Sequence, residues 1–313
     1  MNTSKMMLCI AACTVFFLSG CAKKETADPD AKQHNEDVSN TKNESDNLNT
    51  DVINVLKDVN GFGKTDAPYA FTICGATVDT TQQFNATPTV TINFDGVTQC
   101  GNPARIRSGQ IKVELVAGNK WSDAGAQLRI THTNYKVTFV TLNNHYLTFN
   151  GIKYLTNVTG FDWVGYYFSG SLTAQLRERS NDITVTFENG STDLWNSARL
   201  STWTITNYTT ITATVNGDSI SGGKVIDSWG TTRFGTHFTT EMNSPWVSGT
   251  TCGWWRPTQG KYTSTTDNFA ITATFGVDSH GNPVTSGCGA YGLKLEWNYA
   301  NGTATGDAVI AYF

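Results

Sequence analysis

The chain has 313 residues, of which only 15% are charged and 12% aromatic, and its 22 basic and 26 acidic residues leave a formal net charge of −4. Such a balance excludes the basic field that nucleic acid or an anionic lipid surface would require. Plentiful Thr, Ser, Asn and Gly, with β-branched threonines suited to a pleated and partly wet surface, point to an all-β extracytoplasmic protein.

Residues 1–20 have a secretory layout: Lys5, an apolar run from Met6 to Leu18, then the small residues Ser19 and Gly20. The run falls short of the roughly 20 residues that a helix needs to cross a bilayer, so export and cleavage are expected. Leu18-Ser19-Gly20-Cys21 resembles the bacterial lipobox. That resemblance implies that the Cys21 thiol is alkylated with diacylglycerol, that the chain is cut in front of it, and that the new amino terminus is acylated. The partner is then a membrane, reached through lipid alone, with each buried methylene worth about 0.8 kcal/mol. Cys9 and Cys13 leave with the signal, and the loss of Lys5 takes the net charge from −4 to −5. Ala22 is not a retention acid, which for lipoproteins implies the outer membrane. Glu25, Asp28 and Asp30 loosely resemble the signals that carry lipoproteins to the cell surface in the Bacteroidota; the alternative is a solvated linker without an address.

Residues 22 to about 50 lack aromatics and are rich in Asn, Asp, Glu, Lys, Ser and Thr. Such a segment predicts a disordered tether, because it buries too little to offset the entropy of ordering. DVINVLKD at 51–58 sets Val52, Val55 and Leu56 on one side of one or two helical turns. The expected organisation is a signal peptide at 1–20, a lipid anchor and disordered acidic tether at 21–60, and an all-β extracytoplasmic domain at 61–313.

Beyond about residue 67 the period is two: TVTINF at 89–94, QIKVEL at 110–115, YKVTFV at 135–140, ITVTF at 183–187, TITATV at 210–215 and AITATF at 270–275. Asp95-Gly96, Asn150-Gly151, Asn189-Gly190, Asn216-Gly217, Gly281-Asn282 and Asn301-Gly302 read as turns between them. Successive hairpins without any helical period imply antiparallel sheets, arranged as a large sandwich or an elongated curled sheet. The pattern also recurs. TVTINFDG followed by ARIRSGQIKVEL parallels ITVTFENG followed by ARLSTWTIT, and more weakly ITATFGVD followed by GCGAYGLKLEW. With Phe94, Phe187 and Phe275 taken as equivalent, the copies are 93 and 88 residues apart.

These stretches, with LTFNGIKYLTNVTG at 147–160 and CGWWRPTQGKY at 252–262, resemble a group of large β-rich surface lipoproteins of the Bacteroidota. The resemblance covers most of the body and implies location and fold, but no chemistry. The chain departs from the group at Ala104, where Gly is expected, and at Gly289, where Asp is expected.

Cys74, Cys100, Cys252 and Cys288 are an even set, which favours disulfides beyond the inner membrane, with three pairings possible. Cys74 with Cys100 and Cys252 with Cys288 is the least entangled, each bridge contributing about 3–4 kcal/mol in the chain-entropy model. Zinc would prefer C-x-x-C pairs, and none occurs. No catalytic motif surrounds His132, His145, His237 or His280, and His132 reads as a hydrogen-bonded residue of a strand face. Asp162, Asp193, Asp227, Glu241 and Glu296 lie near tryptophans, the residue types a glycosidase opposes across a sugar ring. For binding, Trp254 and Trp255 between turn residues, with Tyr166, Tyr167 and Trp229, offer flat apolar area with polar edges. The expectation is a noncatalytic, lipid-anchored envelope protein with a structural or interaction domain, without metal or cofactor. Its partners are the membrane and a glycan or another envelope protein. The alternatives are a surface glycan-binding protein and a β-sandwich glycan hydrolase.

Overall fold

The computed structural model describes residues 29–56, 59–63, 72–101, 104–140, 145–161, 169–253, 256–299 and 305–312. The first described element is not a disordered tether but a 28-residue helix, α1 (Pro29–Leu56), and a 3₁₀ turn at Asn60–Phe62 follows it. Its buried stripe runs Ala31, His34, Asp37, Val38, Thr41, Glu44, Leu48, Val52, Val55 and Leu56, a 3.6-residue period written largely in polar residues. Val52, Val55 and Leu56 share the expected side. An apolar count misses the rest because the partners that bury it are charged.

Strands follow in chain order: β1 (Ala76–Asp79), β2 (Thr89–Cys100), β3 (Arg105–Ala117), β4 (Ala126–Phe139), β5 (His145–Asn157), β6 (Leu172–Phe187), β7 (Thr192–Thr206) and β8 (Thr210–Gly217). After them come β9 (Ser219–Ser221), β10 (Lys224–Thr231), β11 (His237–Gly249), β12 (Gln259–Thr266), β13 (Phe269–Val277), β14 (Gly292–Tyr299) and β15 (Thr305–Ala311). All pair antiparallel in one continuous sheet, ordered β1 to β7 and then β10 to β15. This is the single curled sheet rather than the two-sheet sandwich. The order is interrupted once. Leu194–Ser197 of β7 pair with β10, whereas Arg199–Thr206 pair with β8, so β8 and β10 share one place in the sheet end to end. The three quasi-repeat copies are the adjacent hairpins β2–β3, β6–β7 and β13–β14. Cys74–Cys100 and Cys252–Cys288 are the disulfides, as the least entangled pairing has it.

A row of bulges crosses the middle of β3 to β6. Gly109, Asn134, Gly151 and Asp182 all have positive φ, at 87°, 47°, 135° and 53°, and the register slips beside each of them. Bulges bend a strand and increase its twist, so four in register bend the sheet. They also re-aim side chains. His132 and Tyr135, three apart on one strand, are both buried on the helix side. One device recurs in the row: Asn150 Oδ1 accepts from Asn134 N–H at 2.8 Å, and Asn196 Oδ1 accepts from Asp182 N–H at 2.8 Å. Asn150-Gly151 is therefore a bulge inside β5 and not a hairpin turn, and Asp95-Gly96 likewise lie inside β2. Asn189-Gly190 do form the β6–β7 turn, and Asn301-Gly302 lie outside the described residues.

On either side of the bulge row the strands turn Ile111, Val113, Leu128, Ile130, Val137, Leu147, Leu155, Val185 and Phe187 inward, where Leu48, Val52, Val55, Leu56, Val59 and Phe62 meet them. A Cβ at Gly109 would stand 2.1 Å from Asn134 O, whereas one at Gly125, also at positive φ, meets nothing within 4 Å. Gly109→Ala is therefore expected to cost at least about 1 kcal/mol more than Gly125→Ala. Paired urea titrations would show the difference.

Candidate functional site

The bulge row sets a belt of polar side chains across the inner face of the sheet, and α1 lies along that belt with its C-terminal end at β3 and its N-terminal end at β12 and β13. Going up the helix from its C-terminal end, Asp51 meets Arg107, and Glu44 accepts from Arg105 at 3.2 Å and from Tyr135 OH at 2.5 Å. Asp46 accepts two bonds from Arg199 at 2.9 and 3.2 Å. Lys42 donates to Asp227 at 2.8 Å, and Asp37 takes a two-pronged grip from Arg233 at 2.6 and 2.7 Å. His34 stands 3.1 Å from Ser264 Oγ. The repeated Ala-Arg of the first two quasi-repeat copies supplies Arg105 and Arg199, so both copies spend their arginine on a helix carboxylate.

Formal charges cancel across this contact. The helix brings Asp37, Glu44, Asp46 and Asp51 against Lys42; the sheet brings Arg105, Arg107, Lys153, Arg199 and Arg233 against Glu178 and Asp227. Each side is thus three charges from neutral, in opposite sense. The arginines bring planar donor forks that match carboxylates.

Midway along the helix, Lys153 donates to Ser45 Oγ at 2.9 Å and to Ser45 O at 3.2 Å, while Ser45 Oγ donates to Glu178 at 3.1 Å. Asn49 at 2.6 Å and Ser197 at 3.1 Å also donate to Glu178. Burial works against the Glu178 carboxylate, but the charges of Lys153 and Arg199 and the bonds from Asn49 and Ser45 outweigh it and hold the group down at about 2. A serine whose proton is directed at an ionised carboxylate, and whose oxygen accepts from an ammonium, is not an activated nucleophile. Beside it remains a void of about 20 Å³, lined among others by Thr41, His132, Tyr135 and Ser180, with room for one water molecule. Burial drives the His132 and His34 imidazoles down to about 3 and about 4, with nearby Lys153 and Lys42 adding to it, so both are neutral at pH 7. His132 Nδ1 lies 3.3 Å from Gly151 O, the hydrogen-bonded face residue expected.

Of the acids near tryptophans, Asp227 holds Lys42, Glu241 accepts from Lys224 at 2.7 Å and Glu296 from Lys294 at 2.8 Å. Asp162 is outside the described residues. Asp193 is buried with Oδ1 unpartnered among the described residues, and burial, with the nearby Asp37 charge, raises its carboxyl to about 8. Burial likewise raises Asp37 to about 6 against the pull of Arg233. Trp229 is half-buried on β10 between Asn196 and Thr239; Trp254, Trp255, Tyr166, Tyr167 and Cys21 lie outside the described residues. No three His, Cys, Asp or Glu side chains converge as metal ligands among the described residues.

No family model, no curated protein and no solved structure matches this chain.

Two tests address the groove. Arg233→Gln leaves Asp37 buried and unpaired, at an expected cost of about 3–5 kcal/mol; Asp37→Asn in the same chain should recover most of it, as a double-mutant cycle in urea would read. The folded state keeps the Asp193 proton up to about pH 8, while the unfolded chain releases it near 3.8. This group's stabilising term is therefore complete below the lower value and is lost as pH rises through the upper one. Asp193→Asn should match the wild type in thermal melts at pH 4 and exceed it by roughly 2–5 kcal/mol at pH 9.

Proposed function

We propose that this chain is a lipid-anchored protein of a bacterial envelope, held at the outer membrane through Cys21, whose β body is a noncatalytic structural or interaction module, like the surface lipoproteins of the Bacteroidota that its motifs resemble. The observation that carries the reading is that the segment directly behind the lipobox cysteine is built into the core. Seven residues lie between Cys21 and Pro29, so the two are at most about 28 Å apart when the chain is fully extended. An anchor at Cys21 thus fixes the whole sheet close to the bilayer and does not let it drift on a long tether. Supporting the noncatalytic part, most charged groups of the groove are paired with one another or with α1, and Ser45 is held between Lys153 and Glu178. No helix among the described residues is long and apolar enough to cross a membrane, so in this reading attachment falls to the lipid.

Metabolic labelling with radioactive palmitate tests the assignment. Label should enter the wild-type chain and be lost in Cys21→Ser, which should also move from the membrane to the soluble fraction. Equal labelling of both chains, or of neither, overturns it.

A further inference from the structure

The two halves of α1 are held by different physics. From Leu48 to Phe62 the contacts are mainly apolar: Leu48, Val52, Val55, Leu56, Val59 and Phe62 all belong to the main core, with Asn49–Glu178 and Asp51–Arg107 as the polar additions. Fully burying a side chain of this size contributes about 1.5–3 kcal/mol. From Asp30 to Asp46 the only buried apolar side chains are Ala31 and Val38. That half rests on ion pairs, and a buried ion pair roughly breaks even, because removing both charges from water offsets their attraction.

It also carries uncompensated groups. His34 Nδ1 and Thr41 Oγ1 are buried without hydrogen-bond partners among the described residues, and Asp193 Oδ1 is in the same state across the groove. Asp37 lies near Asp193, a second carboxyl, with Arg233 bonded only to Asp37 of the two. Nor does the segment hold itself helical. Asn35, Ser39, Asn40, Thr41, Asn43 and Ser45 are weak helix formers, and the segment is barely longer than the roughly 12–15 residues below which even Ala-rich helices are marginal in water.

We propose that α1 is a two-part device in which residues 48–62 are a permanent dock and residues 30–46 are a strap that leaves the groove as a unit and melts when it does, while the sheet stays folded. Release uncovers Arg199, Arg233, Asp193 and Asp227 along the groove. Where Cys21 is the anchor, as proposed above, the lipid pulls on the releasable end, and release adds up to about 60 Å of reach between bilayer and body.

Native-state hydrogen exchange on the intact chain in detergent tests the strap whether or not Cys21 is acylated. Amides of residues 34–46 should exchange together at one rate, at least about tenfold faster than those of residues 50–56, which should follow the core strands. Arg233→Gln should speed the first group a further tenfold or more while leaving the order of the two groups unchanged. Exchange of 34–46 at the same rate as 50–56 and the strands overturns the proposal, as does a smooth gradient from Pro29 inward, which would be end fraying. Failure of palmitate labelling with the two rates still separate would remove the anchor and leave the strap.

Discussion

The structure depends on the cancellation of charge between one helix and the inner face of one sheet. The contact is unusual in its chemistry and ordinary in its arithmetic: three excess negative charges meet three excess positive ones where little water reaches. The two surfaces differ in what they need from each other. The inner face without α1 would expose a row of arginines over an apolar floor, and α1 without the sheet would be a polar peptide with weak helix formers at most positions. The groove is the condition of order for residues 30–46, whereas the sheet keeps its own order through its ladders and the apolar dock at Leu48, Val52, Val55 and Leu56.

Curvature makes the contact possible. On a flat sheet the neighbouring strands from β3 to β12 would span about 34 Å at about 4.8 Å apart, whereas the helix rises only about 26 Å from His34 to Asp51. Yet α1 reaches side chains from β3, β4, β5, β6, β7, β10 and β12, which concavity of the sheet brings within reach. The bulge row does this bending, and because each bulge also shifts inward-facing positions by one residue, the same defects that curve the sheet bring His132, Tyr135, Lys153, Glu178 and Ser180 to the helix. Shape and site share one cause. Asn150 and Asn196 make it reproducible by closing the backbone donor that a left-handed residue leaves open.

The sheet was legible in the sequence because strands bury apolar residues at every second position, and that alternation survives any partner. The disulfides were legible because few pairings compete. α1 was not, since the signal in use was hydrophobic periodicity and the helix writes its period in Asp37, Glu44 and Asp51, carboxylates seven residues apart. That spacing was a readable sign, but only beside arginines at inward strand positions. Arg105 and Arg199 were visible as the shared Ala-Arg of a repeat, yet a repeat alone does not say what its arginine faces. Likewise Asn-Gly marks a left-handed residue, which serves a turn and a bulge equally; only the uninterrupted strand on both sides of Gly151 distinguishes them.

The amino-terminal half of α1 is synthesised before every strand and finds its seat last. His34 and Ser264 are separated by 230 residues and Asp37 and Arg233 by 196, so the amino-terminal half of α1 has no complete seat until nearly all of the strands exist, whereas residues 48–62 meet their core partners on β2 to β6 much earlier. Contacts of such long sequence separation close slowly, and a nascent chain that lacks β12 gains little from collapsing around its amino terminus. A polypeptide arranged in this way closes its charged groove only when its last strands are made, which would suit a chain exported before it folds, as the proposed lipid anchor requires.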